Sequence, residues 1–238
     1  METTQTSANT LTGAAAVAKV LPWSYSSLQA YETCPRRVHI VKIQRHIKEP
    51  MTQQTIWGNE VHKAMEHAVQ GTAGLGERFA AFQPVVDKLR AIPGIIQTER
   101  AFGLTASFKP VDYWSPQAWV RGKADVTITQ DTQGFLFDYK TGKVKNDPDQ
   151  LSLFAAVLLA EKPQLKRART GYIWLAANTV TPAVVTREET PAIWQSFTQR
   201  VARMVRSAET GDWPPRPSGL CKEYCPVGRA RCEFCGTG

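Results

Sequence analysis

The sequence predicts an α/β chain, and three observations predict it. Residues 119–140, WVRGKADVTITQ, DTQG and FLFDYK, alternate apolar and polar residues on both sides of a turn, the sign of a hairpin of half-buried strands. Stretches 57–69 and 193–205 place apolar residues at helical spacing. The run LSLFAAVLLA, apolar but for Ser152, lies between the hairpin and a further strand, RTGYIWLAAN. With 238 residues, 42% of them hydrophobic, there is room for one good-sized core and an accessory lobe.

Taken in order, residues 1–22 are rich in Thr, Ser and Ala, and 1–20 hold no aromatic, so the segment reads as a disordered leader. It has no basic n-region, Lys19 interrupts its short apolar run, and no stretch reaches membrane-span length. A cytoplasmic location follows, where five cysteines are not read as disulfides. Ser24 or Ser26 caps a first helix carrying Leu28, Tyr31 and Cys34. WGNEVHKAMEHAV is a second helix with the stripe Val61, Met65, Ala68 and Val69, and His62 and Glu66 beside it. FAAFQPVVDKLRAI is a third, interrupted at Pro84. GIIQTERAFGLTA is a strand leading to the hairpin, with Glu99 a polar member read as mainly structural, an active-site contact being the lesser alternative.

In the hairpin the turn centres on Thr132 and Gln133, with Gly134 free to turn left-handed. Zipping the arms back pairs Gln130 with Phe135, Ile128 with Phe137, Thr127 with Asp138 and Asp125 with Lys140. Val126, Ile128, Phe135, Phe137 and Tyr139 then share an apolar face, and Asp125, Asp138 and Lys140 share the other. The two aspartates are diagonal neighbours, roughly 7–8 Å apart at the backbone, within reach of one cation. Carboxylate oxygens are hard ligands suited to Mg2+ or Mn2+, and a lysine beside them can orient a water and offset charge on a phosphate. A solvated Asp–Lys ion pair is the plain alternative.

Beyond the hairpin, the loop TGKVKNDPDQ offers Lys143 and Lys145 to phosphates. Asp147 or Asp149 caps the helix QLSLFAAVLLAEK, with Gln150 and Phe154 on one face. RTGYIWLAAN and VTPAVVTREE are strands. Pro191 opens a last helix with the core face Ile193, Phe197, Val201, Met204 and Val205, and with Arg200, Arg203 and Arg206 on a solvated basic face. Residues 214–238 are a Pro- and Gly-punctuated segment dense in cysteine: Cys221, Cys225, Cys232 and Cys235. That density signals a metal site, either zinc in four local thiolates or a [4Fe-4S] cluster shared with Cys34. The net charge of +8 and pI near 9.4 suit a polyanionic partner.

The ordered features S-x-x-L-x-x-Y-x-x-C-P, G-x-x-x-H on a helix, GKADV and DYK resemble the PD-(D/E)XK nuclease superfamily, and within it the RecB-like nucleases. The resemblance runs from about Ser24 to Cys235 and implies a mixed central sheet flanked by helices. It implies metal binding by His62, Asp125, Asp138 and the Tyr139 carbonyl, with catalysis by Asp125, Asp138, Lys140 and Gln150. The family tyrosine four residues after Gln150 is Phe154 here, so that hydroxyl is missing.

Iron–sulfur members of the group, among them AddB-type subunits and CRISPR-adaptation nucleases, imply a [4Fe-4S] cluster on Cys34, Cys221, Cys225 and Cys232, with Cys235 the alternative ligand. The resulting expectation is a nuclease domain over 23–213, a cluster lobe completed by 214–238, and a metal-dependent exonuclease acting on DNA that is single-stranded or has free ends. Recombination or CRISPR-adaptation proteins are the implied protein partners. The competing class is a non-catalytic cysteine-metal DNA-binding subunit of a recombination complex.

Overall fold

A six-stranded sheet carries the fold in the computed structural model, which describes residues 22–49, 51–145 and 147–236. The expected leader therefore lies outside the described residues, apart from Pro22. The chain runs α1 (Tyr25–Thr33), α2 (Pro35–Val38), α3 (Gln53–Gln70), α4 (Gln83–Arg90), β1 (Ile95–Leu104), β2 (Pro110–Val111) and β3 (Val120–Gln130). It continues through β4 (Gln133–Lys140), α5 (Pro148–Glu161), β5 (Arg167–Trp174), β6 (Thr179–Thr186) and α6 (Thr190–Thr210). The sheet order is β2-β1-β3-β4-β5-β6. Only β4 and β5 run parallel, joined through the crossover helix α5; the other pairs are antiparallel. The sheet is therefore mixed and flanked by helices, as expected. No described helix is long and apolar enough to cross a membrane.

The helices cover both sheet faces. On one, Leu28 and Tyr31 of α1, the apolar length of α5, and Trp194, Phe197, Val201 and Met204 of α6 pack on Phe102, Leu104, Val120, Ala124 and Leu136. On the other, Val61, Met65 and Val69 of α3 and Val86 and Leu89 of α4 pack on Val126, Ile128, Tyr139 and Ile173. Burying a side chain of this size stabilises by about 1.5–3 kcal/mol, so the two layers fix the helices against the sheet. The α3 stripe is buried as its spacing requires. Ser24 caps α1 through a reciprocal bond with Ser27. Pro84 starts α4 rather than interrupting a helix, since its missing N–H costs nothing in the first turn.

The hairpin register differs by two residues from the expected one. Gln130 pairs with Gln133, Ile128 with Phe135 and Val126 with Phe137. The turn is the pair Asp131-Thr132, and Asp131 takes the left-handed conformation at φ 45°. Gly134 is a strand residue: a Cβ there would lie 2.8 Å from both Leu158 and Leu165, so its smallness lets α5 approach the sheet. A shift of two keeps every side chain on its face, which is why the apolar set Val126, Ile128, Phe135, Phe137 and Tyr139 still gathers against α3 and α4.

The expectation that Asp125 shares a face with Asp138 and Lys140 does need correction. Along β1 and β3 the alternation reverses at one cross-strand position. Ile96 and Val126 face α3, whereas Phe102 and Ala124 face α5 and α6. The reversal falls at Glu99, whose φ is 49°, and at Asp125 opposite it; the register skips that pair between Thr98↔Val126 and Arg100↔Ala124. Asp125 thereby turns toward α3, while Asp138 and Lys140 face α5.

Candidate metal centre and its surroundings

The β3–β4 ladder stops at Val126↔Phe137, and the strands part beyond it. Asp125 fills the fork. Its Oδ2 accepts the Tyr139 backbone N–H at 2.6 Å, taking the place of a ladder bond. Its Oδ1 stands 2.9 Å from His62 Nδ1 on α3. His62 lies one residue from Val61 in the buried stripe, so core packing aims the imidazole at the fork. The Tyr139 ring meets His62 edge-on at 5.8 Å.

Glu99 completes the group. One ligand atom from each of His62, Glu99 and Asp125 lies within 4.8 Å of the others. Lys123, also on β3, makes an ion pair with Glu99. One imidazole and two carboxylates leaving room for waters make a donor set that fits Mg2+ or Mn2+. Glu99, read from the sequence as mainly structural, is thus at the centre of the site. The available signal was an acid in a strand beside the Asp125 strand.

Asp138 and Lys140 form the adjoining part. Lys140 Nζ lies 2.6 Å from Asp138 Oδ2, off the hydrogen-bonding direction, and donates to Gln150 Oε1 at 3.2 Å. Gln150 Nε2 donates to Asp138 Oδ1, also at 3.2 Å. Gln150 reaches this position from the first turns of α5, whose start is held by an unexpected use of Asp147. That carboxylate does not cap the helix; it accepts from Tyr25 Oη at 2.6 Å and from Gln29 at 3.0 Å. Tyr172 on β5 was not anticipated at all. Its ring lies 4.8 Å under the Lys140 ammonium, and its hydroxyl donates to Asp147 O at 2.9 Å and lies 3.2 Å from Gln150 Oε1. Nothing in the sequence signals it, because parallel pairing alone brings β5 beside β4.

The charges are coupled. Burial, then the charge of Asp125, pushes the Asp138 carboxyl up to about 6, with Lys140 and His62 opposing. For His62 burial favours the neutral ring, but the Asp125 bond and the charges of Asp125, Asp138 and Glu99 outweigh it, so its pKa is raised. A concentration of negative charge with too few cations is what a divalent ion relieves.

Phe154 packs edge-on against Phe102 in the core, away from this cluster. Lys143 and Lys145 line a cavity of about 490 Å3 with Lys140, Gln150 and Tyr172. Arg200 is not on a solvated face: it pairs with Glu32 and Asp149, and its guanidinium lies over Phe197.

At the other end of the chain, Cys34, Cys221, Cys225, Cys232 and Cys235 line one small cavity. The tail is tied to the start of α2 by Arg36 N to Pro214 O at 3.3 Å and by the Arg36–Glu233 ion pair at 2.6 Å. Burial, then contact with Cys225 and Cys232, pushes the Cys235 thiol up to about 12.

The model of the PD-(D/E)XK nuclease superfamily matches residues 22–92 and 81–233. No curated protein matches. Among solved structures, a protein named "Putative exonuclease" from Eubacterium rectale is 11% identical, covers 94% of this chain and 93% of its own, and has a TM-score of 0.52. The structure of SSO0001 is 16% identical over 90% of this chain and 86% of its own, with a TM-score of 0.46. The first of these likenesses bears on the fold.

Proposed function

The chain belongs to the PD-(D/E)XK nuclease superfamily, and from that membership we propose that it is a metal-dependent deoxyribonuclease, an exonuclease on single-stranded DNA ends. The observation that carries the reading is the convergence of His62, Glu99 and Asp125 within 4.8 Å, beside the Asp138–Lys140–Gln150 set. A pure binding module has no need of three acids and a lysine at one fork in a sheet.

His62, Asp125, Asp138 and the Tyr139 carbonyl, with Glu99, would hold Mg2+ or Mn2+. Bound there, the ion supplies a more acidic water and neutralises charge on the scissile phosphate. The chain's own residues do the rest. Gln150 and the Tyr172 ring hold the Lys140 ammonium in place, and Lys140 orients the attacking water and offsets negative charge as it grows. Asp138 fixes Lys140 from the other side and, beside a cation, stays ionised.

The second part of the proposal is a structural [4Fe-4S] cluster on Cys34, Cys221, Cys225 and Cys232, with Cys235 the alternative ligand. It joins the nuclease domain, 23–213, to the 214–238 segment. Five cysteines around one cavity fit a thiolate-held group. Zinc held by four of the same thiolates is the alternative occupant.

End-labelled single- and double-stranded DNA, incubated with Mn2+ and with chelator as control, tests the activity. Stepwise loss of label from single strands, only with the ion, is expected. Intact DNA under every divalent ion would overturn the reading.

A further inference from the structure

On β3, Val120 and Ala124 face the core under α1 and α6, and Gly122 lies against the Phe102 ring on that same side. Strand alternation therefore puts Arg121, Lys123 and Asp125 in a row on the opposite face. Of the three, Arg121 and Lys123 lie outside the apolar layer under α3 and α4, and the Lys123 side chain is 57% exposed. Across the ladder, Arg121 is opposite Gly103 and Lys123 is opposite Ala101, two residues too small to wall the row off, and Ala101 is exposed. One end of the row is the Asp125–Glu99–His62 group.

At the other end stands an aromatic pair. Trp114 is 81% exposed, the most exposed large apolar side chain among the described residues. The Tyr113 and Trp114 rings meet edge-on at 4.8 Å, and the Arg121 guanidinium lies 5.6 and 5.7 Å from their centroids. Arg121 Nη2 also donates to Ser115 O at 2.9 Å, pinning the loop that carries both rings to the strand. An indole held out in water at no benefit to the core, with a guanidinium beside it, is the chemistry of a base-stacking platform. From Arg121 to Asp125 the strand spans roughly 14 Å at about 3.4 Å per residue.

We propose that this row is the track for single-stranded DNA: an unpaired base stacks on Trp114, its phosphates run past Arg121 and Lys123, and the strand reaches the carboxylates at Asp125. Lys123 shares its charge with Glu99, while Arg121 is in no ion pair among the described residues, so charge complementarity favours a phosphate beside Arg121 first. Stacking requires a base free of its partner, which makes the occupant a single strand rather than a duplex. The inference rests on the nuclease reading of the Asp125 site and adds how the strand is presented to it.

Binding of fluorescein-labelled oligo-dT, measured by anisotropy in chelator so that nothing is cut, tests it. Stacking of one base is worth about 1–3 kcal/mol, so Trp114→Ala should raise Kd about 5- to 150-fold. Trp114→Phe should stay within about threefold of native, and a blunt duplex should lose far less than oligo-dT. Quenching of the native tryptophan emission by oligo-dT should vanish in Trp114→Ala. Trp114→Ala binding within about twofold of native overturns the track, and does so even if Mn2+-dependent cutting is intact. Trp114-dependent binding by a chain that cuts no DNA overturns the hydrolytic reading and leaves the track standing.

Discussion

The carboxylate cluster and the cysteine lobe, the two candidate metal sites, are held together in opposite ways. The carboxylates are placed by the sheet: Asp125 and Asp138 are 8% and 7% exposed, on strands packed from both faces. Burial first, and repulsion by Asp125 second, raise the Asp138 carboxyl, so ionised Asp138 is a cost to the ion-free fold. The lobe has almost no core. Ile40, Val41, Val227, Cys232 and Cys235 are its buried apolar residues, and after α6 the described chain makes only one short 3-10 turn, Gly219–Cys221. With so few apolar contacts, the proposed thiolate-held group would supply much of its order. On the proposed reading, one site uses the fold to hold an ion and the other uses a bound group to hold the fold.

That contrast is most strongly broken or upheld by Lys140→Ala. Cleavage should drop by about 10^2- to 10^3-fold or more, with circular dichroism unchanged, because the partly exposed side chain contacts Asp138, Gln150 and the Tyr172 ring and is not in the apolar core. Retained cleavage would remove Lys140 from the mechanism. Next comes Cys34→Ser, which should bleach absorption near 400 nm and strip amide protection from 214–236 while β1, β3 and β4 stay protected. Loss of protection in the sheet as well would mean the two regions are one cooperative unit.

Glu99→Gln sharpens the comparison from the other side. The Mn2+ concentration for half activity should rise by about 10- to 100-fold, as when a metal site's supporting groups are lost, with melting temperature nearly constant. An unchanged Mn2+ requirement would return Glu99 to its pairing with Lys123 alone. The smallest effect concerns Asp138 in chelator. Its folded pKa of about 6 lies above the ordinary 3.8, so the carboxylate costs stability above about pH 6 and nothing below about pH 4. Asp138→Asn should therefore raise ion-free stability in urea by on the order of 1–2 kcal/mol at pH 7.5, and by nothing near pH 4. Equal gains at both pH values would deny the linkage.

The elements were legible because each rests on a local pattern: the α3 stripe, the α5 apolar run, the alternation in β3 and β4. The candidate site was legible where the resembled motif names residues, as with Asp125, Asp138, Lys140 and His62, which the fold brings close together. It was not legible at Glu99 or Tyr172, whose partners lie on other strands, nor in the hairpin register, where Asp131 accepted the left-handed turn position and Gly134 was spent on packing against Leu158.

By itself, then, the sequence determined which residues are apolar on which face and which side chains are chemically fit to hold metal, because periodicity and donor type are properties of the chain alone. Only the tertiary structure decided which of those donors meet. The reversal of alternation at Glu99 and Asp125 is a cross-strand event, fixed by two core layers pulling the same strands in opposite directions on either side of it.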